Sequence, residues 1–361
     1  MEKQKVTYIL ALNVGSTSIK SRVFSFSGEK IKEVFSWSKN NIDPKKDHQK
    51  SLEELLESLI KENLLTKIEA VGHRVVHGGE LKESSVLNEK IIKIIQKNQE
   101  LAPLHNPFNL EGIKTTSSWW PKKIKQVAVF DTTFYKTIPD FASVYPIPIE
   151  LSHKYKIERL GFHGISHQFA KEEAERILKK PASSLRLITI HLGGGSSITA
   201  IKNGKAIDTS MGFTPLEGLV MGTRSGDIDP GIIFFLARKL KKDLKEIEKI
   251  LVSESGIFGL CKAKNMLELI EGAEKNNPLS KLALQIFTYR IKKYIGAYFG
   301  ILGGCDAVVF TGTVGAGKPI TRNKIVAPLK NNLLKKTRIL VIKSNEERMI
   351  AKETYKIMRS I

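Results

Sequence analysis

Apolar and polar positions recur along this chain with two periods, and each switch between them marks an element. Tyr8, Ile9, Leu10 and Leu12 make an apolar run that reads as a buried strand. Ile19, Val23, Phe24 and Phe26 then alternate with polar residues, as in a half-buried strand, so ALNVGSTSIK (Ala11 to Lys20) is predicted to be the tip of a β-hairpin. The plan returns in LITIHLGGGSSITAI, Leu187 to Ile201, where Leu192, Gly195 and Ser196 answer Leu12, Gly15 and Ser16 at an offset of 180. At the same offset VAVFDT (Val127 to Thr132) falls on AVVFTG (Ala307 to Gly312). Two strand-and-tip pairs at one spacing predict two similar halves.

Elsewhere the period is helical. SLEELLESLIKENLL predicts a helix opened by a capping box of Ser51 and Glu54. A second helix is predicted over Leu282 to Leu302, and a last one over NEERMIAKETYKIM, capped by Asn345 with Glu346 and Glu347 in its first turn. Between Asp208 and Ile232 there is little period and much Gly, Thr, Asp and Pro, which predicts a long shaped loop of the kind that carries function.

Composition narrows the class. At 361 residues, 41% apolar and 26% charged, the chain suits two folded domains. No window of 18 or more apolar residues exists, so no membrane partner is expected, and Asn13 breaks the first apolar run too early for a signal peptide. Cys261 and Cys305 cannot build a disulfide framework, which agrees with a reducing cytoplasm. The net charge of +21 raises the question of nucleic acid. The lysines, however, sit among glutamates in stretches such as KEEAERILKK and KKDLKEIEKI, as on solvated helix faces, so no nucleic-acid partner is expected.

Candidate chemistry follows from the tips. Asn13, Gly15, Ser16, Thr17, Ser18 and Lys20 offer N–H groups, hydroxyls and an ammonium with no acid among them, which suits a phosphate, although a solvated turn has the same composition. In GHRVVHGGE, Arg74 is either edge-exposed or held for an anion. His105 lies in a loop between two prolines, and Asp131 ends a buried strand, where carboxylates serve either a ligand crevice or a cap. His163 and His167 are spaced for one helix face but have no third metal ligand in view. Arg224 is the working residue of the long loop, unless Asp227 or Asp229 takes it as a salt-bridge partner. GTVGAGK (Gly312 to Lys318) has Walker spacing, but Pro319 stands where a magnesium-binding hydroxyl belongs.

Taken in order, LNVGSTSIK, GHRVVHGGE, LAPLHNP, VFDTTF, GFHGISH, DTSMGFTPLEGLVMGTRSGDIDPG and NEERMIAKET resemble the acetate kinase family, related to sugar kinases and actin, over nearly the whole chain. The resemblance implies an α/β fold of two duplicated actin-like (ribonuclease H-like) domains with an interdomain cleft. Residues 1–135 with 348–361 would form one domain, and 136–347 the other, carrying the nucleotide site. It implies reversible transfer from ATP to acetate with Mg2+ or Mn2+, and a homodimer. It also assigns roles: Asn13 and Glu346 to the metal; Ser16, Ser18 and Lys20 to phosphate; Arg74, Arg224, His105, His163 and Asp131 to catalysis; Val76, Leu104, Phe162 and Pro215 to the acetate methyl group. His191, Leu192, Gly193, Gly194 and Gly195 fall on the nucleotide-phosphate tip. On the adenosine side the chain departs from the family, with Asn265, Met266 and Leu267 in one segment and Thr313, Val314, Gly315, Ala316 and Gly317 in the other. Tyr135 also stands where the family usually has histidine. Propionate or butyrate as acceptor, GTP or pyrophosphate as donor, and an inactive binding protein are the alternatives.

Overall fold

The computed structural model describes residues 5–43, 46–81, 83–103, 105–120 and 124–361, so Leu104 lies outside the described residues. The chain forms two compact units, one running to Thr133 and resuming at Asn345, the other spanning Phe134–Ser344.

In the first unit β1 (Thr7–Val14) and β2 (Ser18–Ser27) form the hairpin that the alternating pattern predicts, and β3 (Lys30–Asn40), which that pattern does not include, extends it to an antiparallel meander. β4 (Ile68–Val75) and β6 (Lys125–Phe130) add in parallel beyond β1, and the short β5 (Ser85–Val86) edges the sheet in the order β3-β2-β1-β4-β6-β5. The returning helix Glu346–Arg359 lies on β1, β2 and β4. Its approach depends on Gly72, where a Cβ would fall 2.1 Å from Thr354 Oγ1. On the sheet, Leu10, Leu12, Ile19 and Val23 close a core with Leu52, Leu55 and Leu59 of the helix His48–Lys61.

The second unit repeats the plan. β7 (Arg186–Leu192), β8 (Ser196–Lys202) and β9 (Lys205–Thr209) form the meander, while β10 (Ala307–Thr311) and β11 (Arg338–Val341) add in parallel, giving β11-β10-β7-β8-β9. The helix Pro278–Leu302 supplies Phe287, Ile291 and Ile295 to the core beneath that sheet. The chain thus has the α/β fold with duplicated actin-like domains that the sequence predicts.

Two readings need correction. The hairpins β1-β2 and β7-β8 occupy equivalent places, but the second offset match does not: β10 pairs directly with β7, whereas β6 is separated from β1 by β4. VAVFDT and AVVFTG resemble each other because both are buried parallel strands ending at a turn. Nor does Ser51 cap a helix. The helix starts at His48, Ser51 Oγ donates to the Asp47 carbonyl at 2.6 Å, and Glu54 takes Lys39 at 2.8 Å.

Candidate active site

In the first unit three strand ends and a helix start bring four polar side chains together. β1 delivers Asn13, β4 delivers Arg74, the turn after β6 opens with Asp131, and Glu346 begins the last helix behind the Asn345 cap. Arg74 Nε and Nη2 donate to Asp131 Oδ2 at 3.2 and 2.7 Å, and Nη1 donates to Asn13 Oδ1 at 3.2 Å. The same Nη1 lies 3.3 Å from Glu346 Oε2, which accepts from Asn13 Nδ2 at 3.0 Å. Burial opposes the Arg74 charge, but Asp131, Glu346 and Glu347 outweigh it and hold the guanidinium above its ordinary pKa. Arg74 is therefore not edge-exposed, and Asp131, fully buried, aims it.

The tip after β1 is closed by Gly15, whose N–H donates to the Ser18 carbonyl at 2.8 Å. The Ser16 carbonyl meets His48 Nε2 at 2.9 Å, while Ser18 begins β2 and Lys20 lies across from Asn13. Two residues that pattern reading passed over hold this region. Asn109 Nδ2 donates to the Val14 carbonyl at 2.7 Å, and its Oδ1 accepts from Val76 N at 3.0 Å. Asn106 grips the His77 N–H and carbonyl at 3.0 and 2.9 Å. Both are buried on the helix Asn106–Ser117, which His105 immediately precedes. Their signal in sequence is two asparagines three apart on the inward face of that helix.

The second unit holds the other group. His163 sits just before the helix Gly164–Leu178 with φ +59°, a left-handed conformation that costs a non-glycine residue about 1 kcal/mol. Its backbone is steadied by Tyr135, whose hydroxyl donates to the Phe162 carbonyl at 2.6 Å. The His163 ring stacks on His191 with centroids 4.4 Å apart, and its Nδ1 meets Ser197 Oγ at 2.9 Å. A Cβ on Gly195 would lie 3.0 Å from His163 Nε2 and 3.7 Å from Arg224 Nη1, so ring and guanidinium converge on that tip. Arg224 Nη1 also donates to the Pro215 carbonyl at 3.1 Å, and burial pushes its pKa down to about 10. Asp227 accepts instead from Gly218 N and Tyr294 OH, both at 2.7 Å, and Asp229 from Gly231 N at 2.8 Å. The loop is pinned further by Glu217, which accepts from Arg159 Nη2 at 2.7 Å and from the Tyr145 hydroxyl.

The remaining residues lie around β7 and β10. Gly312 (φ +79°) would put a Cβ 2.4 Å from the Leu192 carbonyl, so the helical turn Gly312–Gly315 packs on the end of β7. Thr313 thereby comes beside Gly193 of the glycine tip, while Gly194 faces open space. The Walker-like stretch is that turn and not an open phosphate loop, and Arg322 takes the Gly315 and Gly317 carbonyls at 2.8 and 2.7 Å. Ser196 Oγ and Thr311 Oγ1, both buried at these strand ends, have no protein partner. Asn265 caps the helix Met266–Glu274 by accepting from Glu268 N at 3.0 Å, with Met266 against the core and Leu267 exposed. Among the described residues no three His, Cys, Asp or Glu are grouped to hold a metal by themselves.

Comparison with known proteins bears on this arrangement. The model of the acetokinase family matches residues 8–358. The acetate kinase of Halothermothrix orenii is 43% identical, covering 98% of this chain and 100% of that protein. That alignment runs over 397 positions against 361 residues, so the relative carries segments this chain lacks. Among solved structures, a propionate kinase from Francisella tularensis superposes with a TM-score of 0.84 at 37% identity, covering 97% of this chain and all of that one. An acetate kinase from Porphyromonas gingivalis gives 0.82 at 33%, covering 98% and all. This chain belongs to the acetokinase family.

Proposed function

We propose that this protein catalyses the reversible transfer of the γ-phosphoryl group of ATP to acetate, giving acetyl phosphate and ADP, with Mg2+ as the metal. The observation that carries the reading is the partly buried Asn13–Arg74–Asp131–Glu346 network at the ends of β1, β4 and β6, in a chain of the acetokinase family. Acetate is already ionised at neutral pH, so its attack on phosphorus needs no general base. The work is alignment and compensation of charge on the transferring group. Asp131, with Arg74 donating twice to one of its oxygens, serves to orient that guanidinium. In the second unit Arg224 and His163 supply a cation and a ring N–H, with Phe162 and Pro215 as apolar residues for the methyl group; Val76 is the candidate for that role in the first unit, and Leu104 lies outside the described residues.

The donor set suits magnesium, which takes one or two protein oxygens together with water and phosphate. Asn13 and Glu346 stand 3.0 Å apart, amide to carboxylate, and would hold the ion, which would neutralise phosphate charge. Ser196 and Thr311 offer two buried hydroxyls suited to phosphate oxygens. A cytoplasmic homodimer belongs to the same reading, and no helix among the described residues is long and apolar enough to cross a membrane.

A second reading concerns the donor. The Asn265 side chain is committed to a helix cap, and Thr313 to Gly317 form a tight turn, which supports relaxed nucleotide choice with GTP or pyrophosphate accepted beside ATP. Steady-state formation of acetyl phosphate, varying ATP, GTP and pyrophosphate against acetate, propionate and butyrate, tests both. Strict adenine preference ends the second reading, and no acyl phosphate from any pair ends the first.

A further inference from the structure

The second unit contains a buried chain of side chains behind His163 that the transfer chemistry does not itself require. His167, fully buried in the first turn of the helix Gly164–Leu178, meets Thr189 Oγ1 with its Nδ1 at 2.7 Å and Ser197 Oγ with its Nε2 at 2.8 Å. Ser197 Oγ in turn lies 2.9 Å from His163 Nδ1. Thr189 on β7 and Ser197 on β8 are both fully buried.

Donor counting fixes the direction of these bonds. A hydroxyl has one proton to give, and leaving it unpaired in the interior costs more than leaving a lone pair idle. The Thr189 hydroxyl has a single hydrogen-bond partner, His167 Nδ1, so it donates there. His167 then accepts at Nδ1 and carries its proton on Nε2, which donates to Ser197 Oγ. The Ser197 proton has one place left to go, His163 Nδ1. With Nδ1 accepting, His163 carries its own proton on Nε2, the ring atom that a Cβ on Gly195 would approach to 3.0 Å with Arg224 Nη1 at 3.7 Å.

We propose that Thr189, His167 and Ser197 form a hydroxyl–imidazole relay that holds His163 as the neutral tautomer protonated at Nε2, making it a standing hydrogen-bond donor to the transferring phosphoryl group. The three are positioning residues. Their role toward substrate rests on the transfer reaction proposed above, whereas the tautomer does not. Titratable groups set against His163 agree with a neutral ring. His191 stacks on it at 4.4 Å, the Arg224 guanidinium shares the Gly195 tip, and His167 is itself held well below its ordinary pKa by burial and by His191. Adding a proton at Nδ1 of His163 requires Ser197 to turn its hydroxyl back onto His167, which already has a proton there.

The test is ring-nitrogen NMR of the full chain labelled with 15N-histidine, with His163→Gln used only to assign the signal. Wild type is expected to show Nδ1 unprotonated and Nε2 protonated from about pH 6 to about pH 8. Ser197→Ala removes the hydroxyl that donates to Nδ1, so His163 should populate both tautomers. Its kcat should fall on the order of 10-fold with substrate KM little changed, the loss growing as pH rises. Ser197→Thr, which keeps the hydroxyl, should restore both the spectrum and the rate. A wild-type His163 protonated at Nδ1, or a Ser197→Ala spectrum identical to wild type, overturns the relay. The spectra decide this even if no acyl phosphate is ever formed, so the relay and the proposed reaction fail separately.

Discussion

Asn109 ties the end of β1 to the end of β4, and its removal gives a sharp test of how the first group is held together. Asn109→Ala takes away the partner of the Val14 carbonyl and of the Val76 N–H, while Asn106→Ala strips the His77 N–H and carbonyl. Asn109→Ala leaves two buried backbone groups unpaired and Asn106→Ala a third besides its two, the Ile95 carbonyl 3.4 Å from its Nδ2, at about 1–3 kcal/mol apiece when no water replaces the amide. Allowing for partial relaxation, each variant should lose about 2–4 kcal/mol. For a unit of this size that lowers Tm by roughly 5–12 °C in a calorimetric scan. The stability losses should be similar, with Asn106→Ala toward the upper end, but the kinetic ones should not. Of the two, only Asn109 holds Val14, the residue that leads into Gly15, so Asn109→Ala should raise the KM for the phosphoryl donor several-fold while Asn106→Ala leaves it within about twofold. Equal kinetic effects from the two variants, or a donor KM untouched by either, would refute the coupling between the asparagine clamp and the phosphate tip.

Three further outcomes are expected. Gly195→Ala brings a methyl to 3.0 Å from His163 Nε2, so kcat should drop at least about 10-fold with Tm nearly unchanged, and full activity would show that the tip does not approach the reacting groups. Glu346→Gln should raise the Mg2+ concentration giving half-maximal rate by about 10-fold, read from a metal titration at saturating ATP, and an unchanged metal requirement counts against Glu346 as a ligand. His73, buried against Gln126, has its pKa pushed down to about 4 by burial. The unfolded chain binds that proton near 6.5 and the folded chain only near 4, so between those values acid favours unfolding and stability falls with pH. The group accounts for about 3 kcal/mol of that decline, and denaturant titrations of His73→Gln should show a shallower slope across the window.

What the sequence by itself determined was local. Alternation specified the first hairpin, since a half-buried strand must show one apolar face, the matching plan specified the second although β8 is buried on both faces, and Asn345 announced the last helix because a cap needs its side chain at one position. Shared motifs nominated the candidate functional residues by their order in the chain. What the tertiary structure decided was partnership. Two buried parallel strands look alike in sequence wherever they lie, so only the sheet order separates the neighbour of β1 from the strand beyond it. Ser51 followed by Glu54 reads as a cap until Lys39 and the Asp47 carbonyl claim them. Arg74 and Asp131 are 57 positions apart and Asn13 and Glu346 are 333, distances over which no local period carries information. The clamp of Asn106 and Asn109 and the relay behind His163 share this character. Their residues are ordinary in sequence and acquire meaning only once folding buries each polar atom and leaves it a single partner to find.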